Sequence, residues 1–278
     1  MILVSVEFFM NISQKKIKNF QNKIFLFYQA HKRKLPWRAT TNPYFVLLSE
    51  FMLQQTQVSR VITFYQQWIN RWPTIQYLAK ASRTEVLKAW MGLGYNTRAL
   101  RLHDAVNTIV SDYDGNVLEA MKHYQQIPGV GKYTAHAVQI FSSNADLVTV
   151  DTNIRRIFIA EFHLPESISD KDLWMLAKHC LPKGRSRDWH NALMDYGALH
   201  LTSQKTGIKP KTRQTSFEGS DRQLRAQIIR LLLNHPASMK DLNKRFDVDQ
   251  SRLKKILQKM IHEQIIIFQQ NQYHLKNE

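Results

Sequence analysis

Two carboxylate residues stand in sequence settings that suit acid–base chemistry. Glu50 is the one formal charge within PYFVLLSEFMLQQTQV, residues 43–58, which is otherwise apolar and amide-bearing. Burial on such a helix raises the pKa of a carboxyl group, which then holds and donates a proton near neutral pH. Asp151, in TVDTNIRR, stands where an extended stretch becomes a helix, and N-cap hydrogen bonds are expected to lower its pKa and keep it ionised. One acid and one anion form the pairing that cleavage of a glycosidic bond requires.

Each carboxylate also has a purely structural interpretation. Glu50 could lie on the solvated face of its helix, and Asp151 could serve only as an N-cap. The spacing of the residues leaves these alternatives open.

A glycine-bearing hairpin, IPGVGKYTA at residues 127–135, is the next candidate for a functional element. Gly129 and Gly131 allow a tight turn and a close approach to another surface, and Ile127 is expected to pack beneath it. The helix that follows presents unpaired N–H groups and a positive dipole end, which together suit an anion such as DNA phosphate. The alternative is an ordinary turn between helices.

The amino-acid composition limits the kinds of binding partner and cofactor that the protein can have. The 278 residues carry a formal net charge of +17, which favours nucleic acid first and an acidic membrane surface second. Cys180 is the single cysteine, so an internal disulfide framework and multi-cysteine zinc or iron–sulfur sites are excluded, and a core position is expected for it. No run predicts a membrane span or signal peptide, and the expected location is the cytoplasm, associated with the nucleoid.

The elements that position these residues are predicted to be helices from about residue 14 to residue 200. One helix is predicted from Pro43 through Ile69, and LVTV at 147–150 reads as a short extended run. Residues 203–219 are polar and basic and predict a linker. Residues 220–278 predict three helices and a hairpin, a pattern typical of a winged-helix module.

Six motifs in order resemble the helix-hairpin-helix DNA glycosylases: LPWR, NPYFVLLSEFMLQQTQV, GLGYNTRA, IPGVGKYTA, VDTNIRR and NALMDYGAL. SEFMLQQTQV and GLGY look most like the MutY-type adenine glycosylases. The resemblance covers about residues 20–200 and implies an all-α, two-lobed core. It implies a lead-in at 1–15, a six-helix barrel lobe with the hairpin at 43–150, and a second lobe from 16–42 plus 151–202. An extruded base would lie in a pocket between the lobes.

The resemblance also implies roles for individual residues. Glu50 would protonate the leaving base and help to activate water, Asp151 would stabilise the sugar cation, and Asn153 would orient the site. Gln55 would insert into the base stack and Tyr95 would wedge beside the opposite base. The base pocket would include Trp37, Arg38 and Leu53, and further DNA contacts would come from Gln54, Gly129, Val130, Gly131, Lys132 and Arg155. The plainer interpretations are core aromatics for Trp37 and Tyr95, a surface charge for Arg38 and a helix-surface amide for Gln55.

Tyr133 bears on the reaction type. In the related branch that also cleaves the DNA strand, a lysine stands at the position of Tyr133 and forms a Schiff base. Here the neighbouring Lys132 is one residue earlier, about 100° around the helix, and is expected to face DNA backbone or solvent. A monofunctional glycosylase that leaves an abasic site is therefore predicted.

The sequence departs from the family in two places. The four cysteines that hold an iron–sulfur cluster in most relatives after the position of Gly197 are absent, so no cofactor and no metal are expected. Either the basic loop contacts phosphates in place of the cluster or it is a solvated linker; its cations are Lys205, Lys209, Lys211 and Arg213. The Nudix-like domain that recognises 8-oxoguanine is replaced by the short C-terminal module.

The predicted function is removal of mispaired adenine, opposite guanine or 8-oxoguanine, in base excision repair. The predicted partner is mismatched double-stranded DNA, with no membrane partner and a monomeric protein. Two alternatives stay open: a thymine or uracil mismatch glycosylase of the same superfamily, and a non-catalytic DNA-binding protein.

Overall fold

The computed structural model describes residues 12–211 and 216–276, and nearly all of the regular structure is helical, as predicted. The described chain divides into two compact units. The first comprises residues 12–47, 121–124 and 130–211; the second comprises 48–120, 125–129 and 216–276. The sequence-based division placed residues up to 150 with the barrel lobe, whereas here residues 130–150 belong to the first unit.

The first unit contains five longer helices and two short ones. They are α1 (Gln14–His31), a 3₁₀ turn (Pro36–Arg38), α8 (Lys132–Ser143), α9 (Thr152–Phe162), α10 (Asp170–His179), α11 (Ser186–Leu199) and the short α12 (Ser203–Thr206). In α1, Ile17, Phe20, Ile24 and Tyr28 recur every three or four residues and are buried. The Phe20 ring lies 5.5 Å from the Trp189 ring and 5.7 Å from the Phe158 ring, so α1, α9 and α11 share one core.

The second unit begins at residue 48 and contains the helices of the central part of the sequence. They are α3 (Val58–Arg71), α4 (Ile75–Ala79), α5 (Arg83–Trp90) and α6 (Thr97–Tyr113); α2 (Pro43–Leu53) and α7 (Val117–Lys122) have residues in both units. A second 3₁₀ turn covers Tyr124–Gln126. Ser82 and Glu85 form the predicted capping box of α5, and Trp68 and Trp90 pack edge to face at 5.4 Å in the core.

The C-terminal module, residues 216–276, has the predicted three helices and hairpin. Its helices are α13 (Asp221–Leu232), α14 (Met239–Arg245) and α15 (Gln250–His262), each begun by a Ser or Asp N-cap. Strands β1 (Ile266–Gln269) and β2 (Gln272–Leu275) pair antiparallel, with Ile266 opposite Leu275. Gln270 and Asn271 both have positive φ, at 49° and 62°, which fits a tight two-residue hairpin turn.

Within the described part of the chain, each helix is too short or too polar to span a bilayer.

Candidate active site

Glu50 lies in the last two turns of α2 and is buried, with 6% of its surface exposed. Its neighbours Ser49 and Phe51 are each 1% exposed. The interpretation that places Glu50 on a solvated helix face is therefore wrong, and a carboxyl group in this setting needs a partner or a function.

Asp151 is the N-cap of α9, as predicted. Its Oδ1 accepts a hydrogen bond from the Ile154 backbone N–H at 2.7 Å, and its Oδ2 accepts one from Asn153 Nδ2 at 3.1 Å. These bonds lower the pKa of Asp151, as expected, but the expected net shift is wrong in sign. Burial raises the pKa of Asp151 above 3.8, and the hydrogen bonds and the Arg156 charge offset burial only in part.

Asn153 and Arg156 form a network behind Asp151. Arg156 donates to Asn153 Oδ1 at 2.7 Å and to the backbone carbonyls of Gly197 at 2.9 Å and Leu201 at 2.6 Å. A Cβ at Gly197 would stand 3.1 Å from the Asn153 Cβ, so this glycine lets α11 approach α9 closely. The network fixes the Asn153 amide so that its nitrogen faces Asp151.

Two histidines hold the extended stretch before Asp151, and sequence reasoning missed both. His136 Nδ1 donates to the Val148 carbonyl at 2.7 Å, and His190 Nε2 accepts from the Thr149 N–H at 3.1 Å. His190 Nδ1 in turn donates to the Ser186 carbonyl at 2.7 Å. Burial lowers the pKa of His190 to about 4 and also lowers that of His136, so both rings are neutral at pH 7. The signal that could have found them is a histidine in each of two apolar helices.

The single helix predicted from Pro43 through Ile69 is wrong, because α2 ends at Leu53 and α3 begins at Val58. Gln55, exposed in the intervening turn, has a φ of 56°. Tyr95 has a φ of 48° and follows Gly92 and Gly94. Left-handed backbone is unusual for both residue types, and such strained residues concentrate at functional sites. We call residues 54–57 and 91–95 the paired turns.

Arg98, which sequence analysis did not single out, joins the paired turns. It is 5% exposed, and its guanidinium donates to the carbonyls of Phe51 and Met52, each at 2.9 Å, and to that of Gln54. It also donates to the Gly94 carbonyl at 2.9 Å and to Thr56 Oγ1 at 2.9 Å. Burial lowers the pKa of Arg98 to about 10, which leaves it charged at pH 7. A cation here satisfies the carbonyls at the end of α2 and fixes Gln54 and Gln55 relative to Tyr95.

The glycines of the hairpin differ in what requires them. Gly129 has a φ of 73°, and a Cβ there would lie 2.7 Å from the Arg101 Cβ, so the fold itself needs this glycine. Gly131 has ordinary φ and open space around a built Cβ, and as N-cap of α8 it gives no side-chain cap. Its bare, exposed backbone suits an approaching anion. Ile127 is buried, as predicted, at 3% exposed, and Val130 is buried at 7%.

Lys132 and Tyr133 occupy the first turn of α8. The exposed Lys132 places its Nζ 4.2 Å from the centre of the Trp174 ring, a cation–π contact. Tyr133 is half-buried, and its backbone carbonyl accepts from Thr149 Oγ1 at 3.4 Å.

Three predicted pocket residues have different surroundings. Trp37 is buried at 8% exposed, and Leu53 is half-buried at the end of α2. Arg38 is no exposed surface charge: its guanidinium donates to the fully buried Asp195 carboxylate at 2.8 and 2.9 Å. Arg38 therefore neutralises a buried charge in the first unit.

Arg155, one of the predicted DNA contacts, is held by bonds within the protein. It is 7% exposed, and its guanidinium donates to the Glu166 carbonyl at 2.5 Å and the Lys209 carbonyl at 3.4 Å. These bonds give it a structural role, holding the loop after α12 against α9. In that loop Lys211 pairs with Asp170, and Arg213 lies outside the described residues; Lys205, within α12, is exposed.

The residues present do not fit the iron–sulfur cluster of most relatives. Such a cluster needs four thiolates, whereas Cys180 is the single cysteine of the sequence. It is fully buried in the first core, and burial raises the pKa of its thiol to about 12. The described residues also hold no cluster of three or more His, Cys, Asp or Glu side chains that could bind a metal ion.

Sequence comparisons with known proteins agree with the family that the motifs indicate. Residues 48–180 match the model of the HhH-GPD superfamily base excision DNA repair protein. The chain is 38% identical to an adenine DNA glycosylase of Mycolicibacterium smegmatis over 226 residues, 74% of this chain and 77% of that one. It is 30% identical to a thymine/uracil-DNA glycosylase of Methanothermobacter thermautotrophicus over 197 residues, 69% of this chain and 89% of that one.

Comparison with solved structures indicates the same superfamily. The solved structure of a thermostable thymine-DNA glycosylase superposes with a TM-score of 0.62 at 30% identity, covering 70% of this chain and 94% of that one. The chain belongs to the HhH-GPD superfamily of base excision DNA repair proteins, in its adenine DNA glycosylase branch.

Proposed function

We propose that the protein is a DNA glycosylase that hydrolyses the N-glycosidic bond of adenine mispaired with guanine or 8-oxoguanine in double-stranded DNA. One observation carries the proposal: Glu50 is buried on α2 and Asp151 is the half-buried N-cap of α9, each within a motif that resembles the helix-hairpin-helix DNA glycosylases. A basic protein with a net charge of +17 suits a DNA substrate.

The two carboxyl groups have different roles in the reaction. Glu50, as the acid, donates a proton to a ring nitrogen of adenine, so that the base leaves neutral as the glycosidic bond breaks. Asp151, as the anion, stabilises the positive charge that develops on the sugar. Water adds to the sugar carbon, its proton returns to Glu50, and the products are free adenine and an abasic site. Asn153 orients Asp151 through the 3.1 Å hydrogen bond.

The reaction stops at the abasic site. A Schiff base needs an amine facing the sugar carbon, and Tyr133 has none. The Lys132 amine is directed to the Trp174 ring. Borohydride trapping on substrate DNA should therefore give no covalent adduct; an adduct that disappears in Lys132→Ala would contradict this assignment.

A second candidate, removal of thymine or uracil opposite guanine, is favoured by the 30% identity to the thymine/uracil-DNA glycosylase. Gln54, Gln55 and Thr56 resemble the adenine branch instead, and identity to an adenine DNA glycosylase is higher, at 38%.

We also propose that the enzyme acts as a monomer in the nucleoid and without an iron–sulfur cluster. Iron analysis and visible absorbance of the purified protein, before and after reconstitution with iron and sulfide, should show no cluster. Adenine release by the same preparation should not change with iron loading.

The substrate test is a panel of duplexes that carry A, T or U opposite G, 8-oxoguanine or C. Abasic-site formation is scored by alkaline cleavage. Release is expected for adenine opposite guanine or 8-oxoguanine. Glu50→Gln should abolish it while duplex binding persists, which separates catalysis from a non-catalytic binding protein. Release of thymine or uracil in preference to adenine would establish the second candidate.

A further inference from the structure

A cavity of about 760 Å³ lies within the second unit, between the paired turns and the C-terminal module. The paired turns contribute Gln55 and Tyr95, the two residues with left-handed backbone described above. The residues that line the cavity in the described part of the chain do not include Glu50. The lining is therefore separate from the carboxyl group proposed as the acid, and no role has yet been given to the residues that the C-terminal module contributes to it.

Planar side chains contact one another in the lining of this cavity. The Arg222 guanidinium carbon lies 4.7 Å from the centre of the Tyr95 ring and 5.2 Å from that of the Phe217 ring. Arg222 also donates a hydrogen bond to the Tyr95 hydroxyl. Phe217 is 49% exposed, unusual for a large aromatic side chain. Aromatic faces with an adjoining guanidinium are a stacking platform for nucleobases.

The charge of the lining is positive. Five cations line the cavity against two carboxylates, and both carboxylates are paired with arginines: Glu263 with Arg225, and Asp221 with Arg252. The five cations are Arg60, Arg222, Arg225, Arg230 and Lys259. An anionic ligand with a flat aromatic group, such as a nucleotide within DNA, matches both the charge and the stacking surfaces.

We propose that this cavity binds the nucleotide left unpaired when the adenine is extruded, and that Arg222 reads its base; the inference rests on the proposed function. A base that has lost its pairing partner can leave the base stack and lie against side chains. In a duplex from which one base has been extruded, the base opposite is the one that has lost its partner. The exposed ring of Phe217 offers that base a stacking face, and the paired turns form one wall of the cavity.

The chemistry of Arg222 favours guanine at this position. A guanidinium has five donors and no acceptor, in a planar fork that matches the O6 and N7 acceptors of guanine. Cytosine and adenine present an amino donor on the corresponding edge, which an arginine cannot satisfy. The C-terminal module would then set the preference for the opposite base.

The test is equilibrium binding with Glu50→Gln protein, which retains the adenine, at fixed salt. Three duplexes carry adenine opposite guanine, cytosine or an abasic analogue. We expect the guanine duplex to bind most tightly and Arg222→Ala to weaken it about tenfold. The abasic duplex should change less than threefold. Equal weakening of all three duplexes would show a phosphate contact only, and no change in any would show no contact; either overturns the inference.

Two further variants sharpen the test. Arg222→Lys keeps the charge and loses the planar fork, so it should lose the guanine preference while the abasic duplex binds as before. Phe217→Ala removes an exposed ring and should weaken the two base-containing duplexes and spare the abasic one. Thermal melts confirm that each variant is folded. Failure of the catalytic proposal is recognised separately, as adenine release that persists in the Glu50→Gln single variant.

Discussion

The segment around Asp151, residues 148–156, and the paired turns are stabilised in opposite ways. In the Asp151 segment, neighbouring donors hold one side-chain carboxylate: the Ile154 backbone N–H and the Asn153 side-chain amide donate to it, and Arg156 stands behind Asn153. At the paired turns, one buried side chain holds several backbone carbonyl groups. The Arg98 guanidinium donates to carbonyls at the end of α2 and in the turn before Tyr95.

This difference explains why sequence reasoning succeeded in one region and failed in the other. An N-cap is a local device, so Asp151 before TNIRR is readable from its neighbours. The break at Gln54–Gln57 depends on a cation more than forty residues away in sequence. Strain at Gln55 and Tyr95 is maintained by tertiary contacts, which no local pattern encodes.

The largest effect on stability is expected from Arg98→Ala. Removal of the guanidinium leaves several buried carbonyls without a donor, at a cost of about 3–4 kcal/mol in the free energy of unfolding. Urea unfolding followed by circular dichroism measures this. Arg101→Ala, an exposed arginine on the same helix, is the matched control and should change stability by less than about 0.5 kcal/mol. Equal effects of the two substitutions would refute the role given to Arg98.

A somewhat smaller effect is expected from acid acting on the Asp151 segment through His190. Its folded pKa of about 4 lies below the ordinary value of 6.5, so the unfolded chain binds the extra proton first as pH falls. Stability should therefore fall between pH 6.5 and pH 4, by about 3 kcal/mol at most from this group. Urea unfolding across this range should show a shallower pH dependence in His190→Gln, which keeps an acceptor for Thr149 and does not titrate. An unchanged slope would exclude His190 as the cause.

The smallest effect, and the most local, is expected from Asn153→Ala. Loss of the Asn153 hydrogen bond removes one contact that lowers the pKa of Asp151, so this pKa rises further. The acid limb of the rate of adenine release should move to higher pH, with a few-fold loss at neutral pH. Thr152→Ala, at the exposed neighbouring position, should leave the limb in place. If the acid limb moves equally in both variants, the Asn153 hydrogen bond does not determine its position.

The same distinction, between features set by neighbouring residues and features set by tertiary contacts, explains which of the other predictions were correct. The caps of α5 and α9 and the C-terminal hairpin are set by adjacent residues and were predicted. The pKa of Asp151 was predicted with the wrong sign because the hydrogen bonds are readable from sequence and the degree of burial is not. Arg38 and Arg155 were predicted at the base pocket and the DNA, and local sequence could not show the partners that hold them here, because Asp195 and the Lys209 carbonyl come from distant segments.

The central claim is that Glu50 and Asp151 act in one chemical step on one nucleotide. Its most direct test is the single-turnover rate of adenine release, with enzyme in excess, for wild type, Glu50→Gln, Asp151→Asn and the double variant. Asparagine is itself a good N-cap, so Asp151→Asn removes the charge and keeps the helix start. Each single substitution should slow release by about 10²–10⁴-fold, and the double variant should be little slower than the slower single one. A single variant within threefold of wild type, or effects that multiply in the double variant, would contradict the account.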